Sequence, residues 1–193
     1  MSNIDTKYRG RVVTVNVETV ELPNGKVADF EVIHHPGGAA VVAIDAQDRV
    51  CLLRQYRAAV RDWVWELPAG RLEPGEPPIE TARRELVEEA GLEALQWREL
   101  GSILSSPGVF AEVLHLYLAE GLVEVPDHRE EYELFEAHWI DYSEAVRRAM
   151  DGRIRDAKTL VALLRAAPLR TSPAGALPAG TSPAGAPAVP PGL

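Results

Sequence analysis

The stretch from Gly70 to Leu92, GRLEPGEPPIETARRELVEEAGL, constrains this chain more than any other, because it concentrates acid on one short helical segment. Pro77 and Pro78 suit the first turn of a helix, where a missing N–H goes unneeded, and Gly91 suits the residue just past its end. The pattern predicts a helix over about 77–90. At roughly 100° per residue, Ile79, Ala82, Leu86 and Ala90 form one apolar stripe, while Glu85, Glu88 and Glu89 gather on the side away from it. The apolar stripe is expected to dock and the acidic stripe to face outward. Carboxylates at i, i+3 and i+4 repel, each like-charge pair opposing an isolated helix by ~0.2–0.5 kcal/mol. Arg84, four residues from both Glu80 and Glu88, offsets part of this. A hard divalent cation such as Mg²⁺ would offset more, since it takes oxygen ligands and binds phosphate at the same time. The alternative is an ordinary solvated charged face.

The full spacing decides between them: Gly70, five residues, Glu76, seven residues, Arg84-Glu85-Leu86, one residue, Glu88-Glu89, one residue, Gly91-Leu92. This resembles the Nudix box of the Nudix hydrolases with every position filled. Pro107, fifteen positions beyond Leu92, together with Gln55-Tyr56-Arg57 and Glu66-Leu67-Pro68-Ala69-Gly70, is similar to the ADP-ribose pyrophosphatase branch of that family. The resemblance covers residues from about 10 to 167. It implies an α/β fold, a Nudix-type α/β/α sandwich around a mixed sheet, with a small N-terminal β-hairpin region.

The resemblance also implies roles. Glu85 and Glu89 would be direct metal ligands, with the Ala69 carbonyl as a further oxygen ligand, and Glu88 would support or share a second ion. Arg84 would orient these carboxylates, since a planar guanidinium can brace two acids at once. Arg57, Glu66 and Ser106 would contact substrate. In the late acidic loop, Glu131 would act as the base and Glu133 as another metal ligand, with Glu130 adjacent in register. Two to three Mg²⁺ or Mn²⁺ ions would neutralise a pyrophosphate, lower the pKa of a bound water and hold it in line with phosphorus, and a carboxylate would take the proton. The implied substrate is a nucleoside diphosphate sugar, ADP-ribose first, giving AMP and ribose 5-phosphate. GDP-mannose or another nucleotide sugar is the alternative within the family. A non-catalytic ligand-sensing module commonly lacks box glutamates, and this chain keeps them. A sanitising enzyme for oxidised nucleoside triphosphates is disfavoured by Pro107 and the N-terminal β-region.

At 193 residues the chain is long enough for one well-buried core. Its net charge of −9 argues against nucleic-acid or anionic-membrane partners, so an anionic substrate needs metal or local arginines. No apolar run approaches the ~20 residues of a membrane span, and the polar start MSNIDTKYRG lacks a signal-peptide core, so a cytoplasmic location is expected. Cys51 is the single cysteine, which excludes an intrachain disulfide and a cysteine metal cluster. It sits in the apolar run VCLLRQY and is expected to be a buried structural thiol.

Three regions are expected along the chain. Residues 1–36 hold two β-rich runs around Asn24-Gly25, a strong hairpin signal, and the resemblance makes this region a homodimerisation element. Residues 37–167 form the catalytic domain. Within it AAVVAI (39–44) and VCLLRQY (50–56) read as central strands, and Trp63 and Trp65 as core or rim aromatics, with core filling the favoured reading. QWRELGSIL and EVLHLYLAE are further strands around a turn at Ser105-Ser106-Pro107-Gly108, with His115 a structural residue. After the polar loop 126–133 come the strand LFEAHWI, a helix capped by Ser143 and closed by Gly152, and a last helix over about 156–167 with Leu160, Leu163 and Leu164 on one side. Residues 168–193, where TSPAGA occurs twice, read as a disordered tail rich in Pro, Ala and Gly.

Overall fold

The computed structural model describes residues 3–126 and 135–171. The strands are β1 (Ile4–Arg9), β2 (Thr14–Glu21), β3 (Val27–His34), β4 (Gly38–Ala43), β5 (Arg49–Arg57), β6 (Asp62–Glu66), β7 (Ala69–Arg71), β8 (Leu92–Leu104), β9 (Phe110–Ala111), β10 (Val113–Glu124) and β11 (Phe135–Asp141). The helices are α1 (Pro78–Ala90), α2 (Tyr142–Met150) and α3 (Ala157–Thr171).

The apolar runs become the centre because both of their faces are covered. In β4, Ala40 and Val42 join one core cluster and Ala39, Val41 and Ala43 the other. Strand β10 divides likewise, Leu116 and Leu118 against Tyr117 and Ala119. One cluster packs under α2 and α3 through Ala145, Leu163 and Ala166, and the other under α1 through Ala82 and Leu86. Period-2 alternation thus serves two helical layers at once, and the result is an α/β/α sandwich. The central sheet, in the order β7-β4-β10-β8, is mixed: β10 runs parallel to β4 and antiparallel to β8. A second sheet, β11-β5-β6, lies beside it and carries Cys51, which is buried.

The Asn24-Gly25 turn closes a hairpin in which β2 pairs antiparallel with β3 from Thr14↔His34 to Glu21↔Val27. Strand β1 extends this sheet on one side, and β9, from far along the chain, pairs parallel with β3 on the other. The N-terminal sheet therefore includes residues from outside the first 36.

Several expectations need correction. Helix α2 starts at Tyr142, not after a Ser143 cap; Asp141 is its capping residue, without a side-chain cap bond, and the Tyr142 N–H is bonded to the Asp48 carbonyl. Helix α3 runs past 167 through Pro168 to Thr171. Its last turn is held by Arg170, which pairs with Asp48 and Glu120 and lies 5.1 Å from the centre of the Tyr142 ring. Leu164 faces out, while Thr159, Ala162, Leu163 and Ala166 are buried. Of the two tryptophans around Val64, Trp63 is a surface residue edge-on to Tyr56 and Trp65 packs against the core. The rest of the repetitive tail lies outside the described residues.

Candidate active site

Helix α1 is preceded by Pro77 and ends at Gly91, whose left-handed backbone (φ 65°) places its N–H on the Leu86 and Val87 carbonyls. The sequence-based expectation of an outward acidic stripe fails here. Glu85 and Glu89 are buried, because they flank the apolar stripe on the side covered by β7. Glycine at position 70 makes the approach possible: a Cβ there would lie 1.8 Å from Glu85 Oε1. The Ala69 N–H donates to Glu89 Oε2 at 2.7 Å. Glu88 remains more exposed.

One guanidinium ties this face together. Arg84 donates to Glu85 at 2.6 Å, to Glu88 at 3.0 Å, to both oxygens of Glu76 at 3.1 Å, and to the Arg71 carbonyl at 3.1 Å. The Thr81 hydroxyl also donates to Glu76 at 2.7 Å. The Arg84 bonds outweigh the small burial effect and hold the Glu76 carboxyl at about 2. Arg84 in turn is pushed further into its charged form by Glu76, against burial.

A second charged group joins the last residues of β5 and β6. Arg57 donates Nε and Nη2 to the two oxygens of the buried Glu66, at 2.7 and 2.8 Å. Lys158, in the first turn of α3, also pairs with Glu66 and reaches Asp156 at 3.0 Å. Burial alone would raise the Glu66 pKa, but Arg57 and Lys158 together hold it at about 2. Asp156 accepts from the Thr159 N–H and hydroxyl, and Thr159 Oγ1 accepts from the Leu67 N–H at 2.9 Å. The first turn of α3 is thereby bound to the strand end that leads into Ala69-Gly70.

The second group opens on a cavity of about 380 Å³, whose wall includes Arg57, Ala69, Gly70, Ser105, Glu112 and Lys158, while Glu76, Arg84 and Glu88 border a different one. His35 also lines the former and stacks on Phe110, with Nδ1 2.9 Å from Glu112. Burial lowers the His35 pKa, Glu112 raises it and Arg71 lowers it further. Of the sequence-based candidates, Arg57 and Ala69 line this cavity, Glu66 is bonded to its Arg57 and Lys158, Glu85 and Glu89 lie on α1 against Ala69-Gly70, and Arg84 and Glu88 border the other cavity. Ser106 borders neither: its neighbour Ser105 lines the cavity of Arg57, and the Ser106 carbonyl closes the turn by accepting from Val109 and Phe110. Glu131 and Glu133, with Glu130, lie outside the described residues.

The donors fit a hard divalent cation. Glu85 and Glu89, one helical turn apart, and the backbone of Ala69-Gly70 bring only oxygen ligands to a place kept open by a missing Cβ. Among the described residues no three or more His, Cys, Asp or Glu side chains converge as a metal cluster, so these two carboxylates would need backbone, substrate or loop oxygens to complete a shell. Lys158, Asp156 and Glu112 were not anticipated from sequence. Lys158 stands 92 residues from its carboxylate partner, and no local pattern signals such a pair.

A family model described as the NUDIX domain matches residues 34–163. The chain is 40% identical over 158 residues to the methanol dehydrogenase activator of Bacillus methanolicus, covering 81% of this chain and 85% of that protein. It is 37% identical over 158 residues to the ADP-ribose pyrophosphatase of Bacillus subtilis (strain 168), again covering 81% and 85%. Its fold is similar to a crystal structure of an ADP compounds hydrolase, with a TM-score of 0.74, 24% identity, and coverage of 86% of this chain and 91% of that one.

Proposed function

This chain belongs to the Nudix family, and on that premise we propose that it is a divalent-metal-dependent pyrophosphohydrolase that cleaves ADP-ribose to AMP and ribose 5-phosphate. The observation that carries this is the shared cavity. It joins the Ala69-Gly70 segment, which backs onto buried Glu85 and Glu89, to the cations Arg57 and Lys158. A diphosphate needs such a combination, with oxygen ligands for metal on one side and a planar cation on the other. The name carried by the Bacillus subtilis relative supports the choice of ADP-ribose.

Glu85, Glu89 and the Ala69 carbonyl would hold Mg²⁺ or Mn²⁺, with Glu88 supporting a second ion. When bound, two to three such ions supply charge neutralisation and an acidified water. Arg84 holds Glu76, Glu85 and Glu88 in place. Arg57, locked on Glu66, orients the diphosphate, Glu131 takes the proton from the attacking water, and Glu133 supplies a further metal ligand. A cytoplasmic homodimer completes the reading. Residues 1–36 would serve association, 37–167 catalysis, and 168–193 neither. Exposed Ile4, Tyr8, Val27 and Phe30 on the N-terminal sheet support the association surface, and no helix among the described residues is long and apolar enough to cross a membrane.

The test is a panel of nucleotide sugars, dinucleotides and nucleoside triphosphates with Mg²⁺ or Mn²⁺. ADP-ribose should show the highest kcat/KM, with AMP and ribose 5-phosphate in equal amounts. A higher value for GDP-mannose moves the substrate while keeping the mechanism, and no turnover of any diphosphate removes both.

A further inference from the structure

The proposed reaction uses Arg57 to hold a diphosphate, yet a free arginine side chain samples many rotamers and holds nothing well. In this protein Arg57 is fixed by Glu66, and Glu66 is itself fixed from a second direction. Arg57 Nε and Nη2 take one edge of the fork, leaving Nη1 without a hydrogen bond to the described residues. Lys158 takes Glu66 Oε2 and Asp156, and Asp156 is anchored through Thr159 to the Leu67 N–H.

We propose that Lys158 is a positioning residue for this reaction. By clamping Glu66 opposite Arg57, it holds the guanidinium with its unbonded edge available to a phosphate in the cavity. Three observations carry this. Lys158 and Arg57 line the same cavity. They share one buried carboxylate, which one cation would satisfy in charge. The α3 turn that bears Lys158 also ties down Leu67, two residues before Ala69, so both walls of the cavity are set from one point. The charges facing Arg57 here are Glu66, Glu89 and Asp156. Without Lys158, Glu66 Oε2 would lose one of its two cationic partners, and the Arg57 fork would be freer to slide along the carboxylate.

The proposal rests on the proposed function, and a double-mutant cycle tests it with the full-length protein. Lys158→Met should lower kcat/KM roughly 10–100-fold, the range typical of residues that orient a binding group, chiefly by raising KM. Lys158→Arg should restore most of it. Because Lys158 acts through Arg57, the Arg57→Ala/Lys158→Met double variant should fall within about threefold of Arg57→Ala alone. A second readout does not depend on turnover: calorimetric binding of inorganic pyrophosphate without metal should weaken in each single variant and no further in the double. A wild type inactive on the whole panel defeats the functional reading while the pyrophosphate cycle still decides this one. Equal pyrophosphate affinity in wild type and Lys158→Met overturns the proposal, as does a double variant that loses the product of the two single effects. If Lys158→Met does not fold, Lys158→Gln enters the same cycle.

Discussion

Glu85 and Glu89 on α1 are 9% and 3% exposed, whereas Ile4, Tyr8, Val27 and Phe30 of the N-terminal sheet are 60%, 59%, 63% and 41% exposed. One region buries charge and the other exposes apolar surface, each against the ordinary preference. The difference lies in what each region packs on. Helix α1 has a complete apolar stripe, Ala82 and Leu86 included, against the central sheet. Its acids are drawn inward as neighbours of that stripe, and Arg84 with the Ala69 N–H makes this tolerable. The N-terminal sheet is joined by strand pairing, and its only buried residue in β1 to β3 is Asn16. Misplaced charge in a well-packed region points to chemistry, and misplaced apolar surface in a poorly packed one points to association.

The sharpest way to break this comparison is Glu89→Gln. If the buried acid serves a metal, turnover should fall by at least about 100-fold. The circular dichroism should be unchanged and stability should move by no more than about 1 kcal/mol, because the amide oxygen can still accept from Ala69. Near-wild-type activity at saturating Mg²⁺ would mean that the acid is structural.

Acid offers the next largest effect, through Glu66. Its pKa is lowered from 4.5 to about 2 because Arg57 and Lys158 outweigh burial. A depressed carboxyl stabilises the fold above the unfolded pKa and loses that contribution as pH falls through the folded one. Stability should therefore decline between about pH 4.5 and 2, by on the order of 3 kcal/mol at most from this group. Glu66→Gln should flatten that part of a urea-unfolding profile. An unchanged acid limb would show that the pair adds no pH-dependent stability.

Gly70→Ala tests how the acids reach the interior. The new Cβ would overlap Glu85 Oε1, so Glu85 must swing away or β7 must lift, at about 1–3 kcal/mol. Differential scanning calorimetry should show the loss, and activity should fall with it. Wild-type stability and activity would mean that Glu85 is not confined by that strand.

These outcomes bear on what the amino-acid sequence could disclose. The helix from Pro78 to Ala90 was legible because its prolines, glycine and apolar stripe agree, and AAVVAI was legible as a central strand because a run without polar alternation needs cover on both sides. The inward turn of Glu85 and Glu89 was not, since helical periodicity alone cannot register that position 70 lacks a side chain across from them. Strand β9 is two residues long and owes its existence to Ile33 and His34. Helix α3 passes Pro168 because Arg170 finds partners from two distant segments, Asp48 and Glu120. Each failure involves a tertiary contact overriding a local preference.

The smallest effect should come from the apolar side of the comparison, and its size is the point. Phe30 sits on β3 opposite Glu18, exposed, so Phe30→Ser removes little packing from the isolated chain. Such a surface change should alter its intrinsic stability by no more than about 0.5 kcal/mol. If the N-terminal sheet covers a second copy, however, the wild-type melting temperature must rise with protein concentration, because association stabilises the folded state by mass action. Phe30→Ser should then reduce that concentration dependence and shift the light-scattering mass toward monomer, while melting in the dilute limit stays nearly unchanged. A core substitution such as Leu118→Ala would act in the opposite way, lowering the melting temperature by a similar amount at every concentration through a cavity of about 2–5 kcal/mol. A wild type that is monomeric, with a melting temperature independent of concentration, would mean that the exposed apolar residues of the N-terminal sheet do not mark a self-association surface.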